Sequence, residues 1–129
     1  MSSRIVLAVV SLVAVGAAAT AGGARAQEPD PVARGKAVFQ HRCAPCHGAG
    51  KGDDGAPMLP GSFALQLKYR GQRPAFLEQR TDLTAPVIKT FVRNGVASMP
   101  PFRKTEVTDQ DIEAVAAYIA SKPATLTPR

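Results

Sequence analysis

There is no tryptophan in this chain, and five phenylalanines and two tyrosines are its only aromatic side chains. A core built from protein alone would therefore be thin. Domains this small usually depend on a disulfide, a metal or a cofactor for stability. Cysteine is scarcer still. The two present, Cys43 and Cys46, are separated only by Ala44 and Pro45. A disulfide between them would close a very small loop and stabilise little. Histidine is limited to His41 and His47, which crowd the same segment, whereas a structural zinc site needs four ligands and usually a distant second pair. No dense basic stripe interleaved with aromatics is present, so a single-strand nucleic-acid binder is excluded. Nor does any apolar run reach the length of about 20 residues that a membrane span requires.

The N-terminal segment has its own logic. Met1 to Arg4 supplies a short positive start, Ile5 to Val15 an uncharged apolar run, and Ala24-Arg25-Ala26 small residues before a cut. This layout is that of a secretory signal peptide cleaved between Ala26 and Gln27. The apolar run is too short for an uncleaved anchor and decays into Gly22-Gly23. The expected organisation is a signal peptide over 1–26, one domain over 27–122 and a tail over 123–129. With Arg4 and Arg25 removed, 16 basic residues fall to 14 against 10 acidic ones, and the formal charge from +6 to +4. So mild an excess serves solubility and weak steering toward an acidic partner.

Three segments have clear helical signals. Asp30-Pro31 opens the first as N-cap and N1, and Val32, Gly35, Val38 and Phe39 recur at helical spacing as far as Cys43. Gly35 costs about 1 kcal/mol relative to alanine in mid-helix, which points to a close helix crossing. Thr84 is placed to cap the second, Pro86 lies in its first turn, Val87, Ile88, Phe91 and Val92 form one face, and Asn94-Gly95 closes it. The third opens at Thr108 with Asp109 and Asp111, carries Ile112, Val115, Ala116 and Ile119 as its buried stripe, and ends at Lys122-Pro123. Gly48 to Gly61, with five glycines and two prolines, reads as a loop. In 62–80 the alternation of Phe63, Leu65, Leu67 and Tyr69 has a strand's period but no partner strand, so a helical turn or extended loop is expected, with a short helix from Pro74 to Arg80.

The chemistry lies in Cys43-Ala44-Pro45-Cys46-His47, the attachment signature of a c-type haem. Each thiol can add across one vinyl group, and one turn of chain reaches both. The following imidazole is thereby placed beneath the iron as an axial ligand. A thioredoxin-like pair with the same spacing needs a βαβ context that the sequence does not offer. For the second axial position the residues leave alternatives: Met99, in a loop stiffened by Pro100 and Pro101; Met58, close in sequence to the histidine; or an open site. His41, on the helix entering the motif, reads as a solvated surface residue.

These residues, from about Val32 to Ser121, resemble the class I monohaem cytochrome c family in its exported bacterial form. The parts fall in the family's order: a helix with Gly35 and Phe39, the Cys-x-x-Cys-His motif, Pro57 and Leu59 in a Pro-x-Leu loop, a helix ending in Asn94-Gly95, Met99-Pro100, and a final helix with Tyr118-Ile119. The resemblance implies an all-α fold of three main helices and long loops around one covalent haem c, with first and last helices crossing. It implies His47 and Met99 as axial iron ligands, and Pro57 accepting a hydrogen bond through its carbonyl from His47 Nδ1–H. Leu59, Phe91, Phe102 and Ile119 would wall the haem. Gly61 to Leu83 is longer than the minimal family pattern, and its Lys68, Arg70, Arg73 and Arg80 form either a solvated face or a docking site for a dehydrogenase.

The function so implied is one-electron transfer without enzymatic turnover. The expected setting is the periplasm. Electrons would come from an exported flavin- or quinone-dependent dehydrogenase and pass to another cytochrome, a copper protein or a terminal oxidase, with no nucleic acid and no membrane anchor after cleavage. Competing readings are a cytochrome subunit held in a flavocytochrome complex, a thiol–disulfide oxidoreductase using Cys43 and Cys46, and a haem protein in which Met99 is not bound.

Overall fold

A computed structural model describes residues 30–122. The expected signal peptide and C-terminal tail lie outside the described residues. The first helix, α1 (Pro31–Val38), begins as its sequence dictates. The carboxylate of Asp30 accepts hydrogen bonds from the amides of Val32 at 3.4 Å and Ala33 at 3.2 Å, while Pro31 occupies a position whose N–H would be unpaired in any case. Gly35 is the point of closest approach to the last helix, α5 (Asp109–Ala120). A Cβ at Gly35 would lie 1.9 Å from the carbonyl oxygen of Ala114 and 2.9 Å from Tyr118 Cβ, so the two backbones touch. One turn on, the Phe39 and Tyr118 rings pack at 5.6 Å between centroids and a 49° tilt. Arg34 and Asp111 pair at 2.8 Å beside the crossing.

The helix does not continue in α form to Cys43. Phe39–Cys43 is a π-helical turn, closed by the amide of Ala44 donating to the Phe39 carbonyl, and the four-residue α2 (Ala44–His47) follows. The widened turn changes the angular step between Phe39 and Cys43, and both Phe39 and the start of the cysteine motif remain beside Tyr118. Phe39, Val115, Tyr118 and Ile119 form one buried cluster, with Cys43, Ala44, Leu77, Leu83 and Ile88 packed around it.

A fourth main helix, α3 (Pro60–Tyr69), replaces the expected turn or extended loop, and it begins inside the stretch read as a loop to Gly61. The apparent strand period misleads because the inward residues are Ser62, Leu65, Gln66 and Tyr69, at helical spacing, whereas Phe63 and Leu67 stand exposed. Ser62 is fully buried and donates to the Gly48 carbonyl at 3.2 Å, fastening α3 to the end of α2. Arg70 ends the helix in the left-handed region at φ 49°, and Gly71 follows at φ 79°. Of the short helix expected over Pro74 to Arg80, only a 3-10 turn at Leu77–Gln79 forms. Its Glu78 accepts from the Tyr118 hydroxyl, with Lys122 Nζ 3.9 Å away, which ties this stretch to α5.

The next helix, α4 (Ala85–Asn94), starts after Thr84, whose side chain makes no capping bond. Pro86 at the second helical position has no N–H, which removes one of the donors such a cap would serve. Helix α5 opens at Thr108 as expected, and adds a reciprocal capping box: Asp111 N donates to Thr108 Oγ1 at 3.0 Å and Thr108 N to Asp111 Oδ2 at 2.9 Å. Val92, Val107 and Ile112 form a second buried cluster with Ala85, Ile88, Met99 and Phe102. Ile88 belongs to the surroundings of both clusters, so α4 joins them.

Candidate cofactor site

Cys43 is half-buried and Cys46 exposed, and the two form no disulfide. Burial, reinforced by the neighbouring Cys46 thiol, pushes the Cys43 thiol up to about 11. A dithiol exchange catalyst needs the opposite, a depressed thiol pKa in a βαβ setting, and the described residues form helices with a single isolated bridge and no named strand. No group of three or more His, Cys, Asp or Glu side chains among the described residues is placed to hold a metal ion, which removes the zinc alternative there.

His47 ends α2, half-buried, and burial lowers its pKa so that the imidazole is favoured neutral, the form that ligates metals. The first turn of α3 lies against its ring. A Cβ at Gly61 would come within 2.6 Å of His47 Cε1 and 2.7 Å of Nδ1. Here one expectation is corrected. His47 Nδ1 is buried without a hydrogen-bond partner, so the bond to the Pro57 carbonyl is not made. The glycine loop instead closes on itself through Gly52 N to Ala56 O at 3.0 Å and Ala56 N to Asp54 Oδ1 at 3.0 Å. Pro57 stands exposed, and the helical backbone at Gly61 crowds the Nδ1 edge.

Met99 is half-buried in the second cluster beside Phe102, and exchanges backbone hydrogen bonds with Val96 at 3.0 and 2.9 Å. Gly95, at φ 66°, permits this turn; a Cβ there would lie 2.6 Å from the Met99 carbonyl oxygen. Ile119 sits in the first cluster, 3% exposed, near Cys43 and Ala44. Leu59 is half-buried against Gly50. Phe91 and Val87, one turn apart on α4, are 40% and 37% exposed, an apolar strip that ordinary core packing does not use. His41 is exposed, as expected. Thus α4 brings the surroundings of the cysteine turn and of the methionine loop together through Ile88, whereas Pro57 stands apart.

The roles of three residues escaped the sequence reading. Gly61 carries no signal beyond being a glycine in a loop-like stretch, whereas Gly95, expected at the close of its helix, is found there at φ 66°. Arg80 looks like one surface cation among four, yet it is 6% exposed, 4.9 Å over the Tyr69 ring, and forms two 2.6 Å bonds to Asp82. Arg93, which the sequence does not set apart from other helix cations, bonds to three positions of the segment that follows.

The residues fit an iron porphyrin. Two cysteines two residues apart, a half-buried imidazole directly after the second, a half-buried thioether and an exposed apolar strip are the donor set and wall such a group requires. Residues 30–119 match the family described as cytochrome c oxidase, cbb3-type, subunit III. The chain is also similar to cytochrome c6 of Cyanidioschyzon merolae, 32% identical over 91 residues covering 70% of this chain and 74% of that protein. Similarity to cytochrome c6 of Synechocystis sp. is 33% over 88 residues, 68% of this chain and 62% of that one. The chain belongs to the class I monohaem cytochrome c family. It accordingly carries one covalently bound haem c with its iron, and its work is haem-based electron transfer with redox proteins as partners.

Proposed function

We propose that this protein is an exported, periplasmic one-electron shuttle whose iron is ligated by His47 and Met99, and that it carries electrons from a flavin- or quinone-dependent dehydrogenase toward the respiratory chain. The observation that supports this reading is that Ile88 of α4 packs both on the cluster that Cys43 and Ala44 adjoin and on the cluster that Met99 adjoins. When bound, the haem supplies reversible one-electron oxidation and reduction. Cys43 and Cys46 anchor it through thioethers, and His47, crowded by Gly61, has little freedom to turn. Met99 supplies a soft ligand that favours reduced iron and raises the potential. With His47 and Met99 both holding the iron, no position would be open to a substrate, and the domain would act as a carrier rather than an enzyme. Export is supported by the signal-like N-terminus, and among the described residues no helix is long and apolar enough to cross a membrane.

The partner surface is narrower than the sequence implies. Arg73 and Arg80 share the single carboxylate of Asp82 at 2.6 Å, whereas Lys68 and Arg70 have no ion pair among the described residues and lie beside exposed Leu67 and Phe63. A second reading, a subunit held in a dehydrogenase complex, is favoured by the same patch, since Leu67 is 61% exposed. The test is an absorption spectrum of oxidised and reduced protein made with haem-attachment machinery. A covalent haem with the red charge-transfer band of methionine-bound ferric iron supports the shuttle, and rapid carbon monoxide binding by the reduced protein defeats it.

A further inference from the structure

The loop that carries Met99 is held from outside itself. Arg93, in the last turn of α4, donates through Nη1 to the Phe102 carbonyl at 3.0 Å, and through Nη2 to the Val107 carbonyl at 2.8 Å and to Asp109 Oδ1 at 2.7 Å. These acceptors lie on three positions between Met99 and the first turn of α5. The guanidinium is a rigid planar fork, so one side chain fixes their mutual spacing in a way an ammonium cannot. Its side chain is only 18% exposed, and its buried Nε has no partner, so the terminal nitrogens alone aim it. Asp109 is held in turn by Lys89 Nζ at 2.9 Å. The Phe102 amide donates to the Val92 carbonyl at 2.7 Å, so the loop is pinned to α4 by both backbone and side chain.

We infer that Arg93 is a positioning residue for the axial thioether: it keeps the Met99 loop closed and so keeps exogenous ligands from the iron. The inference rests on the reading of Met99 as axial ligand. Met99 and Phe102 pack on the same Val92–Val107–Ile112 cluster, so releasing Phe102 and Val107 loosens the seat of the thioether itself. The methionine thioether carries no charge and, unlike the two cysteine sulfurs, is no covalent anchor to the porphyrin. Its occupancy therefore depends on how often the loop is closed, and entry of an external ligand scales with the open fraction.

The test uses the full holoprotein with Arg93→Gln, Arg93→Lys, Met99→Ala and Arg103→Gln, the last removing a charge that pairs with Glu106 within the loop. Haem content and far-UV circular dichroism report folding; the red charge-transfer band and the rate of carbon monoxide binding to reduced protein report the ligand. Arg93→Gln is expected to raise the carbon monoxide rate about tenfold and to weaken the band, as the loss of two or three hydrogen bonds implies. Arg93→Lys keeps the charge and one bond, and is expected to show about a third of that rise, with Arg103→Gln unchanged. If Arg93→Gln does not fold, Arg93→Lys decides the matter. Native band and rate in a folded Arg93 variant, or failure of both variants to fold, overturn the inference. Met99→Ala sets the ceiling. If it keeps a native band and rate, the axial assignment fails first and the clamp falls with it.

Discussion

Gly35 meets the carbonyl of Ala114 so closely that a methyl group would lie 1.9 Å from that oxygen. The obstacle is backbone, which cannot swing aside as a side-chain tip can. Gly35→Ala is therefore expected to prise α1 from α5 and lower stability by about 3 kcal/mol, despite alanine's better helix propensity. Thermal unfolding of the holoprotein measures this, and a fall in Tm of about 15 °C is expected for a domain of this size.

Gly61 exerts a similar constraint at the cofactor site. Gly61→Ala would put a methyl group 2.6 to 2.7 Å from the His47 ring. Covalent haem attachment should survive, since the cysteines are untouched, but the imidazole must tilt. The expected outcome is a changed reduction potential and altered paramagnetic shifts of the ring protons. A wild-type potential and spectrum in Gly61→Ala would show that the ring has more room than these distances allow.

Acid should weaken the join between α4 and α5. Hydrogen bonds from Arg93 and Lys89 hold the Asp109 carboxyl down to about 2. A folded pKa below the unfolded value near 3.8 means a stabilising contribution fully present above about pH 4 and lost as pH falls toward 2. Asp109→Asn should therefore flatten the pH dependence of denaturant midpoints in that window, while leaving it unchanged near neutrality. An equally steep profile in the variant would remove Asp109 from the acid response.

The four cations of the long connecting stretch should separate into two kinds. Lys68→Glu with Arg70→Glu should slow electron exchange with an acidic redox protein, strongly at low salt and weakly at high salt, without moving Tm. Arg80→Ala should do the reverse. It strips a buried guanidinium from Asp82 and the Tyr69 ring and is expected to cost about 2 kcal/mol, with little effect on the salt dependence of exchange.

Two helix starts and the haem motif were the most readable parts of the sequence, because each is a local device with its own residues: Asp30-Pro31, Thr108 with its first-turn acids, and Cys43 through His47; the cap expected at Thr84 does not form. The Gly35 crossing was legible because glycine inside a helical stripe has few other uses. What the sequence hid was set by distant packing. Helix α3 was obscured because Phe63 and Leu67, exposed in the fold, create a false alternation with Leu65 and Tyr69. The π turn leaves no compositional mark. Arg80 and Arg93 have the same letters as surface cations, and only their acceptors, Asp82 for one and the carbonyls of Phe102 and Val107 for the other, distinguish them.

The meeting of α1 with α5 also bears on how such a chain can change over time. These helices stand at opposite ends of residues 30–122, so everything between them is a loop closed at its base. The entropic penalty of closing a loop grows only logarithmically with its length, about 0.6 kcal/mol per doubling. Insertions such as the stretch between Gly61 and Leu83 are thus thermodynamically cheap as long as the base is intact. Lineages can lengthen or trim that middle to suit new partners, whereas the Gly35–Ala114 contact allows almost no drift.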